Sequence, residues 1–231
     1  MRFPLHITTD MIRWQAKNWW AGNKRVPVVL MLEPLHTCNL ACIGCSPERW
    51  SGDLKDRLPL EKCFQAVDEC GAPVVSVCGG EPTVYPEIVE LIDGIVARKK
   101  HVIMCTNAIL LDRYFKKARP QKRLTINVHL DGMKKTHDYV VDKAGVFDKA
   151  IAALKEGKRL GYRMKSLVDP KHAKAINAVF TPTPAELRKA ARIVKAFERA
   201  RAAGRDRARV DGALIEVPIY AAAKRLLDSI K

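Results

Sequence analysis

The feature that most constrains this chain is an alternation. Four apolar, strand-like runs take turns with four helical stretches, and the connections between them are short. The runs are Val28 to Leu32, Pro73 to Cys78, His101 to Cys105 and Arg123 to Leu130. Helical spacing follows at residues 59–71, 85–98, 110–118 and 146–160. The first of these has Pro59 near its start and Gly71 at its end, the usual signals of helix boundaries. Such an order predicts an α/β fold with parallel strands and helices outside, as a barrel or an open sheet. In both architectures ligands bind at the C-terminal ends of the strands.

The residues able to carry chemistry fall at those ends. Cys38, Cys42 and Cys45 follow the first strand, and Gly79-Gly80-Glu81-Pro82 follows the second. Cys105 and Asn107 close the third, and His129 and Asp131 the fourth. One site is therefore expected. Before the alternation, residues 10–24 read as a short aromatic and basic helix. After Gly161 no strand-like run follows. Thr183 is placed to cap a helix, with Pro184 first and Glu186 third. Leu187, Ala190, Ala191, Val194 and Phe197 then form an apolar stripe that Gly204 ends, and a second helix runs from about Pro218 to Ile230. The division is an N-terminal helix (1–26), a core (27–164) and a helical tail (165–231).

Composition narrows the classes. No stretch approaches the roughly 18 apolar residues of a membrane span. The first fifteen residues lack the basic, apolar, small order of a secretory signal. The seven cysteines are odd in number and all lie in the first half, unlike a secreted disulfide framework. A reduced, cytoplasmic protein is expected. The net charge is +16. Residues 165–231 hold 15 basic against 7 acidic side chains and are the most densely basic part. That charge suits anionic partners or a solvated surface. Nucleic acid is not expected, because no RNP-like aromatic pattern or zinc-finger spacing accompanies it.

Cys38-Asn-Leu-Ala-Cys42-Ile-Gly-Cys45 is a C-x3-C-x2-C loop. Three thiolates on one loop can hold three irons of a [4Fe–4S] cube and leave the fourth iron open. A zinc loop completed by His36 is the alternative. In Gly79-Gly80-Glu81-Pro82 the glycines permit close backbone approach and Glu81 supplies a carboxylate. Cys63 and Cys70, seven apart on a helix, read as packing. Cys78 is better explained by packing than by a pocket.

The C-x3-C-x2-C loop together with GGEP resembles the radical S-adenosylmethionine (SAM) superfamily. More narrowly, LMLEPLHTCNLACIGC, ECGAPVVSVCGGEP, ARKKHVIMCTNAILL and VHLDGMKKTHD resemble the adenosylhopane synthases of hopanoid biosynthesis, over about residues 1–164. The resemblance implies a radical SAM barrel, here with about four βα units. It implies that Cys38, Cys42 and Cys45 bind the cluster. SAM would chelate the open iron with Gly79, Gly80 and Glu81 near its amino group, and Asn107, His129 and Asp131 would orient it. An electron donor of flavodoxin or ferredoxin type would drive reductive cleavage. The resulting radical would add to the alkene of a hopene, a hydrophobic triterpene. Cys105 would then donate a hydrogen atom to the tertiary carbon radical, a downhill step because S–H is the weaker bond. Gly44 stands where many radical SAM loops carry an aromatic residue, and SPERWSGDLKDRLP after Cys45 departs from the usual segment.

A water-insoluble substrate would bring the chain to the inner membrane face. Trp14, Trp19 and Trp20 beside Arg13, Lys17, Lys24 and Arg25 suit such peripheral contact. The alternative is that the tryptophans cover the open bottom of the barrel. From Lys165 the sequence resembles the C-terminal end of the citrate lyase β-subunit and malyl-CoA lyase family, in SLVDPKHAKAINAVFTPTPAELRKAARIVKAFE and VDGALIEVP. There this end forms a lid, and Glu216 occupies the position of a contributing aspartate. The chain then reads as a fusion of two partial enzymes. Beside the transferase reading stand two others, an inactive iron–sulfur-binding fragment and an accessory lid of a CoA-ester carbon–carbon lyase. A core of four units is expected to hold the cluster and turn over weakly.

Overall fold

The structure is a computed structural model that describes residues 5–165, 178 and 181–228. Its core is one parallel sheet in the order β1-β2-β3-β4-β5. These strands are β1 (Val29–Leu32), β2 (Val74–Val77), β3 (His101–Thr106), β4 (Leu124–Val128) and the two-residue β5 (Met164–Lys165). The helices are α1 (Leu5–Trp20), α2 (Leu60–Cys70), α3 (Ile88–Ala97), α4 (Leu111–Lys117), α5 (Lys134–Val140) and α6 (Val146–Leu160). β5 was not expected from the sequence. It pairs with β4 through Ile126 and Asn127 only, too short to show a periodic pattern. α5 and the 3-10 turns Pro47–Arg49 and Leu54–Asp56 were also missed.

Register decides which residues meet. Leu32, Val77, Met104 and Ile126 lie in one row across the sheet, and Ile126 pairs with Met164. All five are buried in the main core, with Leu91, Ile92, Ile95, Leu111 and Leu154 of the helices packed on them. Each such side chain contributes roughly 1.5–3 kcal/mol by leaving water. Successive strand residues point to opposite faces. The other face therefore carries Met31, Ser76, Ile103 and Thr125 in one row and Cys105 beside Asn127 in the next. Among the described residues no helix covers Met31, which is 62% exposed.

α1 lies at the opposite, N-terminal end of the strands. Asp10 Oδ2 is 2.8 Å from Arg123 Nη1 and 3.1 Å from Nε2 of His101. His6 Nε2 is 3.2 Å from the Lys122 carbonyl. The helix begins earlier than residue 10, and the polar side chains of His6 and Asp10 tie it there. Trp19 and Trp20 are 75% and 79% exposed, so, contrary to expectation, these two do not cover the barrel bottom, whereas Trp14 is half-buried.

The described tail comprises α7 (Pro184–Ala202), an antiparallel hairpin of β6 (Ala208–Val210) and β7 (Ala213–Ile215), and α8 (Val217–Asp228). Thr183 and Glu186 form the expected capping box. The buried stripe is Ala190, Ile193, Phe197 and Ala200. Ala191 is exposed, so the stripe is rotated from the sequence reading. Phe197 stacks on Tyr220 with ring centroids 4.6 Å apart. The hairpin was not expected, and it makes the tail more than helical. Most of SLVDPKHAKAINAVF, on which the tail's resemblance partly rested, lies outside the described residues.

Candidate active site

The cysteine loop is anchored on both sides. The Ile43 amide donates to the Val140 carbonyl at 2.9 Å, and the Cys45 amide to the Cys42 carbonyl at 3.0 Å. Cys38 and Cys42 pack against a small buried cluster of Leu40, Val141 and Val146. All three thiols are free and half-buried. Burial pushes the Cys38 thiol up. Burial, then the neighbouring Cys38 and Cys45 and the Asp131 carboxylate, push the Cys42 thiol up to about 11.

Three thiolates in mutual range are thus unfavourable without a positive centre. That donor set fits a cation that displaces the protons. Asn39 leaves a donor for the sulfur of such a group, because its Nδ2 is buried without a partner while its Oδ1 accepts from Asn107 Nδ2 at 2.7 Å. Among the described residues no three His, Cys, Asp or Glu side chains converge as one ion would require. A cube meets its thiolates through separate irons and does not need that convergence. His36, which a zinc site would enlist, lies 3.5 Å from Glu33.

Gly79-Gly80-Glu81 is pressed against the chain that leads into the cysteine loop. The Gly80 amide donates to the Leu35 carbonyl and the Glu81 amide to the Thr37 carbonyl, both at 2.9 Å. A Cβ on Gly80 would lie 2.1 Å from the Thr37 carbonyl oxygen, and one on Gly79, at φ +107°, 2.5 Å from that of Leu35. The close approach these glycines permit is therefore made by the protein's own backbone.

Glu81 is 1% exposed. Its carboxylate accepts from the Thr83 amide (3.0 Å), Thr83 Oγ1 (2.5 Å), Thr106 Oγ1 (2.7 Å) and the Asn107 amide (2.8 Å). Burial pushes its pKa up, and these bonds pull it down. The side chain read from sequence as a SAM contact is spent on tying β3 to the GGEP turn. Thr106, Thr83 and Asn39 were not singled out in the sequence. They carry no signal beyond standing next to motif residues.

Asn107 bridges the two motifs. Its Nδ2 also lies 3.8 Å from Cys38 Sγ, and its Oδ1 accepts from the Ile109 amide at 3.0 Å. Cys105 sits on the uncovered face, half-buried, 3.8 Å from Ser76 Oγ and 3.8 Å from Asn127 Nδ2. Ser76 and Asn127 were missed, although the period-two pattern of the strands would have placed them there. His129 Nε2 pairs with Asp131 Oδ2 at 2.8 Å, and the Asp131 amide donates to Nδ1 of the buried His137 at 3.2 Å. Burial holds the His137 pKa down. Cys63, on the buried side of α2, is fully buried, as expected of packing, and Cys78 Sγ lies 3.7 Å from the Ser76 carbonyl. In the tail, Glu216 is an exposed partner of Arg207 at 3.4 Å.

Comparison with known proteins adds to this geometry. The Radical SAM superfamily profile matches residues 32–169, more than half of the chain. Fe-coproporphyrin III synthase of Methanosarcina barkeri is 30% identical over 153 residues, which is 62% of this chain and 37% of that protein. Mycofactocin maturase MftC of Mycobacterium tuberculosis is 29% identical over 143 residues, 59% of this chain and 36% of that protein. The crystal structure of Streptococcus suis SuiB bound to precursor peptide SuiA superposes with a TM-score of 0.56 at 19% identity. It covers 78% of this chain and 43% of SuiB, and shows a shared fold. The chain spans well under half the length of each of these proteins.

Proposed function

The chain belongs to the radical SAM superfamily, and from that premise we propose that Cys38, Cys42 and Cys45 hold its iron–sulfur cluster and that Cys105 serves the substrate. The cofactors are those of the family, a [4Fe–4S] cluster and SAM. Bound together and given one electron by a reduced flavodoxin- or ferredoxin-type donor, they supply a 5′-deoxyadenosyl radical.

The chain's own residues do the rest. Asn107 holds the cysteine loop through Asn39, and Glu81 fixes Asn107 from behind. The backbone carbonyls of Gly79 and Gly80, rather than the Glu81 carboxylate, are left to accept from the amino group of SAM. His129 and Asp131, already paired, stand at the rim of the same end and orient its polar groups.

The substrate reading rests on one observation, the position of Cys105. Its thiol lies on the sheet face that no described helix covers, one row above the exposed Met31 and the half-buried Ile103. Met31 and Ile103 offer an apolar substrate contact there, beside Ser76, Thr125 and Asn127. We place there an alkene of the hopene class, in line with the sequence resemblance. After the radical adds to the alkene, the Cys105 S–H bond breaks and a C–H bond forms at the tertiary carbon. The sulfur radical left behind takes one electron from the external donor and one proton from water. Trp19 and Trp20, both exposed, serve contact with the bilayer that supplies such a substrate.

The test is anaerobic. The reconstituted chain is given SAM, a reductant and a hopene, and the products are read by mass spectrometry. The expected result is 5′-deoxyadenosine together with a saturated adenosylated product. Cys105→Ser should keep the first and lose the second. A Cys105→Ser variant that forms the saturated product as fast as the parent removes Cys105 from the chemistry.

A further inference from the structure

The tail carries an open cleft, lined by exposed arginines, that the radical chemistry does not use. It has a volume of about 500 Å³ and lies between the end of α7 and the β6–β7 hairpin. Three alanines and Leu214 give it an apolar lining, and Arg199, Arg205, Arg207 and Arg209 give it charge.

Local structure brings these arginines together. Gly204 turns the chain at φ +70°, and the Arg205 amide returns to the Ala200 carbonyl at 2.9 Å. Arg205 is thereby held beside Arg199 at the helix end. On β6 the exposed Arg209 stands between the half-buried Ala208 and Val210, and Arg207 just before the strand projects to the same side as Arg209, with Ala208 between them also reaching the cleft.

Their charge is poorly neutralised. Arg207 pairs with the exposed Glu216 at 3.4 Å, and Arg209 Nη1 donates to the Gly212 carbonyl at 3.2 Å. Asp211 of the hairpin turn is taken by Arg192 at 2.8 Å, and Asp206, between Arg205 and Arg207 in the chain, forms no ion pair with the described arginines. Among the described residues no carboxylate pairs with Arg199, Arg205 or Arg209. Gathered like charges repel, and an anion that fills the cleft relieves them.

We propose that this cleft binds a nucleoside diphosphate. Guanidinium groups present planar forks that match phosphate oxygens, and adjacent phosphates engage more than one fork. The apolar lining takes the flat base. The volume falls within the roughly 300–1,000 Å³ of small-molecule sites. The site is independent of the cluster and of Cys105, and it gives the basic tail a ligand of its own.

The experiment is calorimetric titration of the full chain, without reconstituted cluster, with adenosine diphosphate at low and at physiological salt. Saturable binding of one nucleotide per chain is expected, weakening several-fold as salt rises. Arg199→Ala with Arg205→Ala should weaken it about tenfold or more. Arg188→Ala with Lys189→Ala removes the same charge from exposed positions earlier on α7 and should leave binding within about twofold. Arg205→Lys keeps charge and helix content but not the fork, and should weaken binding several-fold. Absence of binding overturns the proposal. So does equal weakening by the two double variants, which would mean diffuse charge. Pyrophosphate binding as tightly as adenosine diphosphate would remove the nucleoside from the assignment.

Discussion

The sheet domain and the tail use charged side chains in opposite ways. In the sheet domain Glu81 is buried and receives four hydrogen bonds from the ends of two strand connections. In the tail Glu216 is half-exposed and meets one arginine. A buried carboxylate deprived of donors, or donors deprived of it, costs several kcal/mol, whereas an exposed pair contributes about 0–1 kcal/mol. The difference shows where the fold holds groups in fixed geometry. Only the first region does so around cysteines and strand ends, and only there does the superfamily profile match.

The largest effect that would sharpen this contrast is at Glu81. Glu81→Ala leaves two buried donors, from Thr106 and Asn107, and two half-buried ones, from Thr83, without this acceptor and should cost about 3–5 kcal/mol in urea denaturation. Glu216→Ala should change stability by less than about 0.5 kcal/mol. Similar losses at the two positions would break the comparison. Next in size is Gly80→Ala. The added methyl would collide with the Thr37 carbonyl oxygen, and overpacking of this kind costs about 1–3 kcal/mol. Because Thr37 leads directly into Cys38, the variant should also incorporate less iron, measured colorimetrically after reconstitution.

A smaller effect belongs to the tail alone. Thr183→Ala removes the capping box of α7 and should cost about 1 kcal/mol, seen as a lower helix melting temperature with iron incorporation unchanged. The smallest effect is the response to pH. Burial, then the Arg123 charge, hold the His101 pKa below its usual value. Such a histidine stabilises the fold fully above its unfolded pKa of about 6.5, and the contribution is lost as pH falls through the folded value. Asp10 is desolvated, yet Arg123 and His101 hold its pKa below the ordinary carboxylate range. Its contribution is therefore lost only in stronger acid. Between pH 7.5 and 5.5 the urea midpoint should fall. His101→Gln, neutral throughout, should reduce the fall to the part set by His137, whose pKa is also held down by burial.

Much of this was legible in the sequence. The strand runs, the helix between Pro59 and Gly71 and the Thr183 capping box depend on neighbours in the chain, so local pattern suffices. β5 was not legible, because two residues pairing with Ile126 and Asn127 owe their strand character to β4. Glu81 shows the same limit at the site. Its place in a motif was plain, but its partners Thr106 and Asn107 lie 25 and 26 residues away. Only the parallel register brings them together. The N-terminal tryptophans invited a role as a barrel cover. The covering contacts come instead from His6 and Asp10, whose partners at residues 101, 122 and 123 no local pattern reveals.

The central claim is that the cysteine loop of this sheet domain holds the cluster without help from the tail. Anaerobic reconstitution with iron and sulfide, followed by iron analysis and the absorbance near about 400 nm typical of thiolate-ligated clusters, tests it directly. The parent chain should bind about four irons and turn brown. Cys42→Ala should bind almost none, with the fold retained by circular dichroism. A Cys42→Ala chain that keeps four irons and its colour would contradict the account.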